Sequence, residues 1–213
     1  MKQLFILIFI LSNLTFAYEF KLNSKDLKLI NNHPKKKFIE ARLKKFADLK
    51  KEVKSFELIK KLSHINTFIN KSFPEFDNNS YEIDDYWATP KEFLISGHGD
   101  CEDYAIAKYF TLLELGIKKE NLYLSIVQVK NERGLHMILL YSENRNSSPL
   151  VLDNLSFRVI PLNKRTDLIP KVAFNEIDSY TLDNNKFIKK VNIDWQGDNK
   201  WEKLLNRVYK LNE

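Results

Sequence analysis

Between residues 34 and 73 apolar side chains recur three and four positions apart: Phe38, Leu43, Phe46 and Leu49, then Leu58, Leu62, Ile65, Phe68 and Ile69, with Lys and Glu in the gaps. This spacing follows one face of a 3.6-residue helix and predicts two or more amphipathic helices. The pattern lapses in "FPEFDNNSYEIDDYW", which is polar and aromatic without a period, and resumes at "ATPKEF". There Thr89 is placed as an N-cap, Pro90 as the first helical residue and Glu92 as the partner that closes a capping box, so a short helix is expected. Residues 96–99 break it. A second helix opens at Cys101, carries Ala105, Ile106, Tyr109, Leu112 and Leu113 as its apolar side, and ends at Gly116, a residue suited to the position just past a helix.

After Gly116 the pattern becomes that of strands. "NLYLSIVQV", "LHMILLY" and "LVLDNL" are β-rich runs, the first pair separated by "KNERG" and the second by the polar loop "SENRNSSP". Turns of hairpin length predict three antiparallel strands. A further pair is expected at residues 173–181 and 187–193, flanking the turn "LDNN", and "WEKLLNRVYKL" is again helical in pattern. Helices first and strands later, with no internal repeat and no low-complexity tract, indicate an α+β domain.

Residues 1–17 bear on where that domain resides. Lys2, the apolar run "LFILIFIL" and the ending "LTFA", with Thr15 and Ala17 spaced like a cleavage site, read as a secretory signal peptide. The alternative is an uncleaved anchor, and the apolar core is shorter than the roughly 20 residues that span a bilayer. Residues 18–213 then form one exported domain, with no second run long enough to cross a membrane. The formal charge of +6 is concentrated in stretches such as "HPKKKFIEARLKKFADLKKEVKSFELIKKL". On amphipathic helices this is a solvated face. Nucleic-acid recognition would need aromatic or groove-reading elements interleaved, and an exported protein rarely meets that partner, so no nucleic-acid role is expected.

A single cysteine cannot form a disulfide within the chain, so Cys101 is either an inert core residue or a chemical one. Its neighbours Asp100, Glu102 and Asp103 should oppose a thiolate, whereas the backbone N–H groups at a helix start should favour one. A cysteine nucleophile also needs a base, held in turn by a third group. Of four histidines, His33 precedes Pro34 in a basic helical region and His64 lies in a helical stretch. His98 is close to the thiol in sequence and is a candidate to line the site. His136, in the second strand, is the candidate base, and Asp153, at the end of the third, its candidate partner. If those strands pair, a Cys–His–Asp triad can form. Taken singly, each residue also has a plainer reading: a small buried thiol, a satisfied strand histidine, a turn aspartate before Asn154.

"GDCEDYAIAKY", preceded by "DYWATPKEFL" and followed by the histidine strand and "LVLDNL", resembles the bacterial transglutaminase-like cysteine proteinases, the LapG-type periplasmic proteases. The likeness runs over residues 38–155. It implies a transglutaminase-like, papain-related fold in which the nucleophile helix packs on an antiparallel sheet. Cys101 would be the nucleophile, His136 the general base and Asp153 its orienting partner. The resemblance further implies Ca²⁺ bound by Asp100, Glu102 and Asp103, and clustered hard oxygen donors suit that ion better than zinc. Helix capping by Asp100 and Asp103 is the other reading of the same acids, and the two are compatible. For partners, the resemblance implies a large cell-surface adhesin, cleaved near its N-terminus to disperse a biofilm, and a membrane-bound cyclic-di-GMP receptor that sequesters the protease. Two alternatives stay open on the residues alone: acyl transfer to an amine, as in a transglutaminase or amidase, and a non-catalytic calcium-dependent binding module. Trp87 and His98 are both candidates for the oxyanion hole.

Overall fold

A computed structural model of the chain describes residues 18–74, 86–183 and 185–210. The expected signal peptide, most of the aperiodic acidic stretch before Trp87 and part of the "LDNN" turn lie outside the described residues. The N-terminal part is helical: α1 (Ser24–Asn32), α2 (Lys36–Val53) and α3 (Leu58–Ile69), followed by a two-residue strand β1 (Phe73–Pro74). In α2 the buried residues are Ile39, Phe46 and Val53, while Phe38 is 74% exposed. The inward stripe therefore runs through Ile39, Leu43 and Phe46, and Phe38 falls outside the periodic set in which its spacing had placed it. The lysines between these positions are on the solvated side, with Lys37, Lys44, Lys45, Lys51 and Lys54 all exposed.

Helix α4 (Pro90–Ser96) begins with the expected capping box. Thr89 Oγ1 accepts from the Glu92 N–H at 3.3 Å, and Glu92 Oε2 accepts from the Thr89 N–H at 2.7 Å. It ends at Gly97, in the left-handed region with φ 81°. Arg42 of α2 caps this end, donating from Nε to the Leu94 carbonyl at 2.7 Å and from Nη2 to the Ile95 carbonyl at 2.8 Å. The guanidinium lies so close to Gly97 that a Cβ there would fall 1.9 Å from Nη1. Strand β2 (His98–Gly99) pairs in parallel with β1, and helix α5 (Cys101–Glu114) starts two residues later. Helix α5 ends in a Schellman motif: the Gly116 N–H donates to Leu113 and the Ile117 N–H to Leu112, with Gly116 at φ 84°.

The remaining chain builds a seven-stranded antiparallel sheet from β3 (Leu122–Val129), β4 (His136–Tyr141), β5 (Leu150–Asp153), β6 (Ser156–Pro161), β7 (Leu168–Phe174), β8 (Ser179–Asp183) and β9 (Lys186–Lys190), in the order β6-β5-β4-β3-β7-β8-β9. The three expected strands are β3, β4 and β5. The expected strand at 173–181 is instead two, the end of β7 and the start of β8. Between them Asn175 forms an Asx turn, its Oδ1 accepting from the N–H groups of Ile177 and Asp178 at 2.8 and 2.9 Å. Strand β6, not foreseen, folds back on β5 directly after Asp153.

Side chains alternate across the sheet. Met137, Leu139 and Tyr141 of β4 enter the main core with α5, whereas Ile138 and Leu140 join Tyr123, Val127, Val151 and Leu168 in a second cluster. Helix α5 is buried nearly all round, from Glu102 to Leu112. It lies on β4, flanked by α3 and α4, and is closed by helix α6 (Lys200–Lys210) through contacts of Trp201 with Tyr109 and Phe110. The domain is thus α+β with its nucleophile-candidate helix sandwiched between helices and sheet, the arrangement expected. Among the described residues no helix is long and apolar enough to cross a membrane.

Candidate active site

Three elements meet at the N-terminus of α5. Cys101 is its first residue, His136 the first of β4 and Asp153 the last of β5. The antiparallel register, with Leu139 opposite Leu152 and Leu140 opposite Val151, brings the start of β4 beside the end of β5. His136 Nε2 lies 2.8 Å from Asp153 Oδ1, both side chains buried. This geometry fixes Nε2–H as the donor to the carboxylate and leaves Nδ1 as the basic nitrogen. The backbone N–H of Met137, next to His136, is directed at the Cys101 sulfur. The three residues singled out in the sequence are therefore gathered at one place.

Asp153 is held from several sides. Its Oδ1 also accepts from the Leu155 N–H at 3.0 Å, and its backbone carbonyl accepts at 2.7 Å from Nδ2 of Asn70, the C-cap residue of α3. Arg165, just before β7, places Nη2 2.8 Å from Asp153 Oδ2. Burial pushes the Asp153 carboxyl upward, but the His136 hydrogen bond and charge, the Leu155 N–H and Arg165 outweigh it and hold the group at about 2. Asp153 is thus a carboxylate throughout the physiological range.

The thiol is held in the opposite sense. Cys101 Sγ donates to Glu102 Oε2 at 3.0 Å. Burial, then the charge and hydrogen bond of Glu102, push the thiol well above its ordinary range, with the Met137 N–H opposing them and Asp100 adding to the rise. Glu102 is itself raised, by burial first and then by the charge of Asp103, and it is hydrogen-bonded to the Asp100 side chain.

The acidic cluster divides by role. Asp100 occupies the N-cap position of α5, yet its side chain makes no capping hydrogen bond. Asp103 is fully buried, and its Oδ1 accepts from the Ala88 N–H at 2.7 Å, tying the segment before α4 to the nucleophile helix. Gly99 makes room for that carboxylate, since a Cβ there would stand 2.5 Å from Asp103 Oδ2. Among the described residues no three His, Cys, Asp or Glu side chains form a ready metal cage. The donor chemistry nevertheless fits a hard cation: Glu102, in hydrogen-bond contact with Asp100, feels the charge of the fully buried Asp103, and a divalent ion would relieve that repulsion.

His98 lies on β2, immediately before Gly99. Trp87 is buried, its ring stacked on Phe174 and edge-on to Trp195, and its carbonyl accepts from Arg207. It thus packs with core aromatics. Two charged groups near Asp153 were not read from the sequence. Arg165 is one. The other is Lys108 of α5, fully buried, its Nζ without a hydrogen-bond partner among the described residues. Burial pushes the Lys108 amine down to about 7, opposed by the charge of Asp153.

Comparison with known proteins adds an independent line. The sequence pattern of the family described as bacterial transglutaminase-like cysteine proteinase BTLCP matches residues 36–168. Three solved structures of Legionella pneumophila LapG are similar to the chain, each at 30% identity. The EGTA-treated form aligns with TM-score 0.69 over 86% of this chain and 96% of that one, and a second with TM-score 0.69 over 86% and 94%. The calcium-bound form aligns with TM-score 0.67 over 86% and 97%. Among curated proteins none matches.

Proposed function

The chain belongs to the bacterial transglutaminase-like cysteine proteinases and is a cysteine protease, and from that premise we propose that Cys101, His136 and Asp153 are its catalytic triad. The observation that carries the assignment is the 2.8 Å contact between His136 and Asp153 beside the only thiol in the chain.

In this mechanism His136 Nδ1 takes the proton from Cys101 Sγ, and the thiolate attacks the scissile carbonyl carbon. The oxyanion that forms is stabilised by backbone N–H groups at the start of α5, where helix geometry leaves them unpaired. Collapse breaks the C–N bond, the amine departs with the proton from His136, and a thioester remains on Cys101. Water, deprotonated by His136, then attacks the thioester, releasing the acid and restoring the thiol. Asp153 keeps the imidazole in the Nε2–H tautomer through both steps and stays ionised.

Asp100, Glu102 and Asp103 are the residues that would hold Ca²⁺, an ion that one of the LapG structures contains. Bound there, the ion would offset the negative charge beside the thiol. Cys101, which donates to Glu102 Oε2 in this structure, must turn that proton toward His136 before attack. The substrate in this reading is the N-terminal region of a large cell-surface adhesin, and its cleavage disperses a biofilm. The enzyme acts in the periplasm after export through residues 1–17, and a membrane-bound cyclic-di-GMP receptor sequesters it. Support for the substrate, receptor and location comes from the motif resemblance and from the Lys2, apolar run and "TFA" pattern.

The test is incubation of residues 18–213 with the N-terminal region of a repeat-rich adhesin from the same genome. Discrete cleavage that needs Ca²⁺ and is absent in Cys101→Ala is expected. An intact adhesin beside a Cys101 that still reacts with an electrophilic peptide would remove the adhesin as substrate and leave the protease.

A further inference from the structure

Arg165 sits where a short 3-10 turn (Leu162–Lys164) leads into β7. Its backbone is pinned at both ends: its N–H donates to the Leu162 carbonyl at 2.9 Å, and its own carbonyl accepts from the Leu168 N–H at 3.1 Å. The side chain is nearly buried, 7% exposed, and its guanidinium spans two carboxylates. One is Asp167, which accepts from Nε at 2.9 Å and from Nη2 at 2.6 Å. The other is Asp153, whose Oδ2 is 2.8 Å from Nη2.

Asp153 therefore has separate holders on its two oxygens. His136 and the Leu155 N–H hydrogen-bond Oδ1, and Arg165 Nη2 meets Oδ2 as a 2.8 Å ion pair that is not an aligned hydrogen bond. A carboxylate fixed at one oxygen only can turn about its Cβ–Cγ bond; fixed at both, it presents Oδ1 to the imidazole in one orientation. We propose that Arg165 is a positioning residue of the protease, locking the Asp153 carboxylate so that His136 is held in the reactive tautomer and orientation toward Cys101. The proposal rests on the triad assignment made above.

Asp167 has a part in this arrangement. An Arg165 charge acting alone on Asp153 would weaken the attraction of that carboxylate for an imidazolium, working against the step it positions. Asp167, half exposed at 47%, accepts from Nε and from the same Nη2 that meets Asp153, and it offsets part of that charge while leaving the geometry in place. The charged and titratable groups facing Asp153 are then His136 from β4, Arg165 from the turn before β7 and Lys108 from α5. Of these, Arg165 is the one that contacts Oδ2. A lysine in its place would keep the charge and lose the Nε–Nη2 fork on Asp167 that sets Nη2 against Asp153.

Because Cys101 is the only cysteine, its alkylation by iodoacetamide reports the reactivity of this one sulfur without any need for a known substrate. The rate would be measured at one fixed pH, with Ca²⁺ present, in the wild type and in Arg165→Met, Arg165→Lys and Asp153→Asn. Thermal midpoints would be measured alongside, and ¹⁵N signals of the histidine rings would report the His136 tautomer. Misplacement of a catalytic group by about 1 Å can cost roughly 100-fold. Arg165→Met is expected to slow alkylation roughly 10- to 100-fold and to mix the His136 tautomers, with Arg165→Lys recovering part of the rate. If Arg165→Met folds too poorly to measure, Arg165→Lys alone decides: a wild-type rate and a single His136 tautomer in that variant overturn the requirement for a fork. A wild-type rate in Arg165→Met beside a slow Asp153→Asn overturns the proposal and spares the triad. A wild-type rate in Asp153→Asn removes the triad assignment, and the role of Arg165 with it.

Discussion

At the scale of single residues the site holds two carboxyl groups in opposite environments. Asp153 is kept ionised by donors, and Glu102 is pushed toward its neutral form by burial and like charge. Cys101→Ala and His136→Ala are each expected to lower peptide hydrolysis by several orders of magnitude without unfolding the domain, and Asp153→Asn to leave a measurable trace, since orientation partly survives loss of charge. Steady-state rates with circular-dichroism controls check this, and hydrolysis surviving in Cys101→Ala would sink the nucleophile assignment. Lys108 supplies a different prediction. Its amine is lowered to about 7 in the folded protein against about 10.4 in an unfolded chain, so the unfolded state binds more protons between those values. Stability should accordingly rise with pH across that window, and the penalty should be fully present below pH 7. Lys108→Met removes a buried amine that has no hydrogen-bond partner among the described residues and is only partly offset by the Asp153 charge and the Tyr104 ring, and it is expected to stabilise the fold by roughly 1–4 kcal/mol at pH 6, with the gain fading toward pH 10. Urea titrations at the two pH values measure it; an equal effect at both would show that the amine is not what differs. The pairing of His136 with Asp153 near Cys101 was legible in the sequence because a lone thiol at a helix start and two polar groups at strand ends form a recognisable set. Lys108 was not, because a polar residue in an amphipathic pattern reads as solvent-facing, and α5 has no solvent-facing side there. Arg165 was hidden too, since a pair 12 positions apart has no local spacing signal.

At the scale of elements, helix ends and turns place the chemistry. Gly97 and Gly116 both end helices in the left-handed region, but their surroundings differ. Gly116→Ala meets open space and should cost only the backbone term, about 1 kcal/mol. Gly97→Ala would also drive Arg42 off the carbonyls of Leu94 and Ile95, and should cost distinctly more than Gly116→Ala. Denaturant midpoints of the two variants test the ordering, and equal losses would refute the capping role given to Arg42. The start of α5 carries the calcium prediction. Calorimetric titration of chelated protein should show Ca²⁺ bound more tightly than Mg²⁺, which prefers a stricter octahedron, and binding should be lost in the Asp100→Ala, Glu102→Ala double variant. Undiminished binding in that variant would move the site away from the helix start. Capping signals were readable in the sequence, as Thr89, Glu92 and Gly116 show. The break at 175–178 was not, because Ile177 and Tyr180 continue a strand-like run while the Asn175 side chain, which closes the turn, acts through hydrogen bonds that periodicity does not register. Strand β6 escaped for a related reason: "SFRVIP" lies at the sheet edge, where exposed Phe157 and Arg158 spoil the alternation.

At the scale of the whole molecule, the proposed export can be tested at Tyr18. This residue is buried at 7% exposure, with its ring 4.8 Å from that of Phe110 on the nucleophile helix. If residues 1–17 are removed during export, mature protein from the native cell should begin at Tyr18. N-terminal sequencing checks it, and recovery of Met1 on membrane-associated protein would favour the anchor. Fold class was legible from the order of helices and strands, but the way the layers depend on each other was not. Asn66 of α3 and its C-cap residue Asn70 illustrate the dependence, since both donate to the Ser156 carbonyl, and Asn70 also to that of Asp153. The hairpin that presents the triad carboxylate is thus fastened to a helix that precedes the nucleophile by some thirty positions in the chain. For protein engineering this rules out a shortened enzyme made of α5 and the sheet alone. Such a fragment would contain Cys101, His136 and Asp153 and still lack the clasp on the Asp153 carbonyl, so a shortened protease from this scaffold is expected to need α3 and its C-cap residue.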